Sequence, residues 1–243
     1  MGGQATNFWA WYYQDVEPEL KLAGPFTSED IDYFGTVQVA RSLAEATHGR
    51  LLIPTMDDQT PSTAIVETTV NGKPIKIDFL NGVLGVKNVE LKRGVIDVQV
   101  EAESDGKPVQ AIIKLMHPVA CLKSRVANIL HPATRRTDKI SKNQLRAAFV
   151  VVRRYIDDCL ADGDRKEAQA CISALFEYAR SDQYGRVLDR ELGYDVLEIL
   201  KPLLADDRFD PRYRKHQIKQ MISGIERRRR SRRPKSPGTR SAG

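Results

Sequence analysis

The sequence has no apolar run near the ~20 residues that a membrane-spanning helix needs, and no basic-then-apolar leader segment. Its three cysteines, Cys121, Cys159 and Cys171, are odd in number and far apart. They give neither a disulfide framework nor a zinc spacing, and they suit a reducing, cytoplasmic compartment. The four histidines form no H-x-x-x-H or H-E-x-x-H pair, so a zinc site is not expected. No internal repeat of useful period is visible. What remains is ordinary globular composition over 243 residues, 41% hydrophobic and 29% charged, enough for one or two domains with real cores.

The formal net charge of +6 is an uneven average. Residues 211–243 hold twelve Lys/Arg and one acid, Glu226, for a local charge of +11, which leaves residues 1–210 at −5. The body is therefore mildly acidic and the C-terminal region strongly basic, and the two are read separately.

Patterning divides the chain into a mixed half and a helical half. Ala5–Tyr13 is rich in large apolar residues and reads as a helix, in which Trp9, Trp11, Tyr12 and Tyr13 suit helix packing better than base stacking. Gly24-Pro25 breaks the chain. Asp30–Phe34 alternates as a short strand, Val37–Thr47 reads as an amphipathic helix with Gly49 as its cap, and Leu51–Ile53 as a strand. Two hairpins follow, turning at Asn71-Gly72 and at Asp105-Gly106. Pro118 then opens a helix to about Leu130. Further helical stripes run through Leu145–Leu160 and Ala168–Ala179, and Asp210-Pro211 starts a last helix to about Ile225. The fold class is α+β, with a sheet domain over 1–116, a helical domain over 117–226 and a basic tail over 227–243. That tail carries too little apolar content to order itself.

The sharpest local feature is Ser28-Glu29-Asp30-Ile31-Asp32. On a strand, Asp30 and Asp32 project to one face, with Ile31 and Tyr33 into the core behind them. Two adjacent carboxylates repel unless a cation lies between them, and Mg²⁺ or Mn²⁺ suits such oxygen donors. Asp78 stands between Ile77 and Phe79 in the most regular strand, sharing a face with Lys76. If that strand is central, an acid there is costly and Asp78 joins the pair; if it is an exposed edge, these are solvent-facing acids. Gly2-Gly3 at a helix start can bring backbone N–H groups close to an anion, or be a flexible end.

GGQA…FW, then S-x-D-x-D, then a strand ending I-K-I-D-F-L, in that order, resembles the nucleotidyltransferase superfamily with its DNA polymerase beta-like fold. MHPVACLKSRVANI resembles the following helix of its abortive-infection toxin branch (AbiEii type). The resemblance spans about residues 2–160. It implies a nucleotidyltransferase mixed sheet followed by helices, and transfer of a nucleotide from an NTP with release of pyrophosphate. It further implies phosphates cradled at Gly2 and Gly3, the small hydroxyl of Ser28, Mg²⁺ (or Mn²⁺) on Asp30, Asp32 and Asp78, and triphosphate contact by Lys123 or Arg125. On the residues alone, Lys123 and Arg125 can equally lie on the solvated face of a helix buried through Val119, Leu122, Val126 and Ile129. In this fold a strand precedes the glycine pair, whereas here Met1 does. A misplaced start or a truncated, inactive copy is the expectation that follows.

The basic run Arg227, Arg228, Arg229, Arg230, Arg232 and Arg233 offers phosphate contacts by counterion release, as an RNA or tRNA acceptor would need, or else a solubilising tail. The partners expected are an NTP, an RNA acceptor and an antitoxin protein, with no membrane. The alternative is a non-catalytic nucleic-acid or protein-binding module on the same fold.

Overall fold

A computed structural model of the chain describes residues 2–24, 30–55, 57–58, 60–104 and 107–232. It is a mixed α/β structure. Among the described residues no helix is long and apolar enough to cross a membrane. The chain divides into two compact units, residues 1–155 and 156–243.

The first unit opens with α1 (Gly2–Tyr13) and α2 (Pro18–Ala23), then β1 (Asp30–Phe34) and α3 (Val37–Ala46). Next come β2 (Arg50–Leu52), β3 (Ser62–Val70), β4 (Lys73–Leu80) and α4 (Asn88–Arg93). The hairpin β5 (Val95–Ser104) and β6 (Lys107–Met116), α5 (Pro118–Leu130) and most of α6 (Lys139–Ala161) complete it. Four strands form one sheet in the order β1-β4-β3-β2, and β5-β6 form a separate two-stranded sheet. β1 runs parallel to β4, and β3 antiparallel to both β4 and β2. Asn71 and Gly72 both take positive φ (51° and 75°), the conformation a type I′ hairpin turn requires. Asp105-Gly106 lies outside the described residues.

One face of the sheet is apolar. Ala64, Val66 and Phe79 pack fully buried beneath Ala40 and Ala44 of α3, with Val37, Leu43, Leu51 and Ile77 around them. Gly49 does not supply the left-handed residue after α3; His48 does, at φ 50°. Gly49 instead lets β3 approach, since a Cβ there would lie 2.8 Å from the Glu67 carbonyl oxygen. The second core joins Ala5, Trp9 and Tyr13 of α1 to Cys121 of α5 and Ala147 and Val151 of α6. The buried Trp9 indole donates to the Met116 carbonyl at 3.0 Å, while Trp11 and Tyr12 are exposed. This packing of α5 and α6 onto α1 carries the first unit past residue 116, where the sequence pattern set the boundary.

In the second unit α7 (Arg165–Ser181) is capped by Asp164, and α8 (Leu188–Leu192) and α9 (Val196–Leu200) are short. A 3₁₀ turn (Pro202–Leu204) and a π-helical stretch (Tyr213–Ile218) lead into α10 (Lys219–Arg232). Ala168, Cys171 and Leu175 of α7 are buried, as are Ile218, Ile222 and Ile225. The expected disordered tail is corrected over 227–232. These residues continue α10, where Arg229 is bound to Asp195 and Asp189. Arg233 lies outside the described residues, as does the side chain of Arg232.

Candidate functional site

β4 is a central strand, so Asp78 does not sit on an exposed edge hairpin. It is 9% exposed. The parallel register places Asp32 directly beside Asp78, and Asp30 beside Lys76. Strand alternation puts Asp32, Lys76 and Asp78 on one face and Ile31, Tyr33, Ile77 and Phe79 on the other. The expected burial of Ile31 and Tyr33 is corrected to 40% and 44% exposure, because β1 is the edge strand. Tyr33 still leans on the Phe79 ring, with centroids 5.2 Å apart.

Both oxygens of Asp78 are held. Ser62 Oγ donates to Oδ1 at 3.2 Å, and Lys76 Nζ donates to Oδ2 at 3.1 Å. A register shift between Ser62 and Ala64 in β3 accompanies this contact. Ser28 and the side chain of Asp30 lie outside the described residues.

Arg125 is buried on α5, not on a solvated helix face. Its Nη1 donates to Gln144 Oε1 at 2.8 Å and its Nη2 to Ser124 Oγ at 3.3 Å, while Nε has no partner among the described residues. Gln144 in turn donates to Asn7 Oδ1 of α1 at 3.1 Å. A Cβ on Gly3 would lie 3.5 Å from Arg125 Nη1, so the first turn of α1 sits against the guanidinium. Burial pulls the Arg125 guanidinium below its usual range. α1, whose first turn meets Arg125, also packs on β1, the strand that carries Asp32.

The structure therefore brings together Gly3 with Arg125 and Asp32 with Asp78, with Gly2 opening the same helix as Gly3. Lys123 turns to α4, where Nζ meets Glu90 Oε2 at 2.7 Å. The loop before α4 is seated on α5 at Gly85, which has φ 79° and where a Cβ would come 2.5 Å from Ala127 Cβ. Of the basic run, Arg227 and Arg230 are exposed, Arg228 is half-buried and Arg229 is engaged within the second unit. Sequence reasoning missed Ser62, Gln144 and Asn7; Lys76 was placed on the correct face, but its bond to Asp78 was not foreseen.

Paired carboxylates on one face of the sheet can hold a cation, and a buried guanidinium against a helix N-terminus can hold an anion. Comparison with family models, curated proteins and solved structures finds no match.

Proposed function

We propose that the chain is a metal-dependent nucleotidyltransferase of the abortive-infection toxin type, moving a nucleotide from an NTP to an RNA or other acceptor. The observation that carries this reading is the register of β1 on β4, with Asp32 beside Asp78. Two hard oxygen donors side by side fit Mg²⁺ or Mn²⁺, with Asp30 as a third. Bound there, the ion would neutralise charge on a triphosphate and on an attacking hydroxyl. The N–H groups of Gly2 and Gly3 and the Arg125 guanidinium bind the phosphates, with Lys123 available from its pairing with Glu90. The acceptor oxygen forms a bond to the α-phosphorus as the bond to pyrophosphate breaks, and the hydroxyl proton passes to Asp78. Exposed Arg227 and Arg230 would add contacts to a polynucleotide acceptor. An antitoxin protein is the regulatory partner this reading implies.

A second reading, a non-catalytic binding module, is favoured by the ion pair of Lys76 with Asp78, which supplies that carboxylate with a cation from the chain itself. The deciding experiment incubates the protein with labelled NTPs, Mg²⁺ and bulk RNA. Metal-dependent label transfer that is lost in Asp32→Asn and in Asp78→Asn is the expected result. Absence of transfer, or transfer untouched by both substitutions, overturns the enzyme reading.

A further inference from the structure

Two acids with described side chains flank Lys76. Glu67 is its register partner on β3, and Asp78 lies two residues along its own strand on the same face. Its ammonium closes on Asp78 Oδ2 at 3.1 Å, although the Glu67 side chain is 45% exposed and Asp78 only 12%. The ammonium thus sits against the less solvated of these two acids, where its positive charge offsets repulsion between Asp78 and the adjacent Asp32.

We propose that Lys76 is a built-in counter-ion of the Asp32–Asp78 pair, competing with a divalent cation for Asp78. This rests on the reading of Asp32 and Asp78 as metal ligands. The lysine keeps the carboxylates together in the metal-free protein, and an arriving ion displaces its ammonium from Oδ2. Ser62 keeps its bond to Oδ1 throughout and holds the carboxylate in place for the exchange. The Lys76 side chain is 42% exposed, so its ammonium can swing to solvent or to Glu67 without unfolding the strand.

An opposite charge at this range changes a carboxylate's affinity for a proton by roughly 1–3 logarithmic units, and its effect on a competing metal cation has the same sign. Mn²⁺ is titrated into the full chain and free Mn²⁺ followed by its paramagnetic resonance signal. The proteins compared are wild type, Lys76→Met, Lys76→Arg, Asp32→Asn and Asp78→Asn, with Lys76→Gln as a second neutral variant. The expected result is Mn²⁺ affinity about tenfold higher or more in Lys76→Met and Lys76→Gln, and unchanged in Lys76→Arg. Without metal the neutral variants melt below wild type, and Mn²⁺ raises their melting temperature more than it raises the wild type's. Equal or weaker affinity in the neutral variants, with binding still lost in both aspartate variants, overturns the competition and leaves the metal reading standing. Binding that is the same in all of these proteins, or absent from all, overturns the metal reading and the competition with it.

Discussion

Buried Arg125 of the first compact unit and the paired Arg229 and Arg208 of the second are treated in opposite ways, although Arg146 and Arg153 of the first unit also meet carboxylates, those of Glu17 and Glu19. In the first, Arg125 is buried against uncharged partners, Gln144 and Ser124, with Nε unpaired among the described residues, and burial lowers its affinity for the proton. In the second, Arg229 takes Asp195 through two bonds of 2.8 Å and Asp189 at 3.0 Å. Arg208 likewise clasps Asp206 and Asp157, at 2.7 and 2.6 Å. Hydrogen bonds donated to these carboxylates, with Asp195 the leading partner of Arg229 and Asp206 of Arg208, raise both guanidinium groups above their usual range. A guanidinium already matched to carboxylates has little left for a ligand and serves as a fastener. One buried among neutral amides keeps its charge available, which is the condition of a binding group.

The contrast can be broken most forcefully in the second unit. Asp195→Ala removes the bidentate partner of Arg229 and the cap of α9, where Asp195 Oδ1 accepts from Leu197 N at 2.7 Å. A loss of about 2–3 kcal/mol in denaturant unfolding is expected, with Mn²⁺ and nucleotide binding unchanged. Arg125→Met reverses the balance. Leaving Gln144 Oε1 without its donor costs about 1–2 kcal/mol, but binding of a fluorescent NTP analogue should fall by at least about tenfold.

Acid sharpens the same comparison. Burial raises the Asp195 carboxyl, but bonds from Arg229 and Leu197 outweigh it, so the net shift is downward; Asp206 is lowered chiefly by its bond from Arg208. Their contributions are complete above about pH 4, near the unfolded-state value, and fade as the pH drops below it. Melting temperature followed from pH 5 to pH 2 should therefore fall, and should fall less steeply in Asp195→Asn. The smallest effect is expected at Arg230→Ala. Stability stays within about 0.5 kcal/mol, and the salt dependence of RNA affinity loses about one unit of slope.

Elements whose information is local were legible in the sequence. The Asn71-Gly72 hairpin, the Pro118 helix and the stripe through Leu145 and Leu160 all follow from turn chemistry or 3.6-residue periodicity. α8 and α9 were not foreseen, since five residues cannot display a periodic stripe. The Arg227–Arg232 stretch suggested a free tail because its composition outweighed a partner 34 residues away in sequence. In the site, alternation alone put Lys76 and Asp78 on one face, and the family-like order of motifs suggested Asp32 as their neighbour. The Arg125–Gln144–Asn7 chain left no such trace. It joins α5, α6 and α1 through polar side chains whose spacing in sequence carries no pattern.

The π-helical stretch before α10 sets a rotational phase. There the Lys219 N–H reaches back five residues to the Arg214 carbonyl, one more than an α-helix allows. Each inserted residue turns everything downstream by about 100°. With that offset, Ile218, Ile222, Ile225 and Arg229 align on one inward stripe, and Arg227 and Arg230 are left pointing outward. Deleting a single residue from Tyr213–Ile218 would restore regular pitch and rotate the basic run as a whole. A different arginine would then face Asp195, and the outward display of charge would be dealt anew without altering the composition of the run itself.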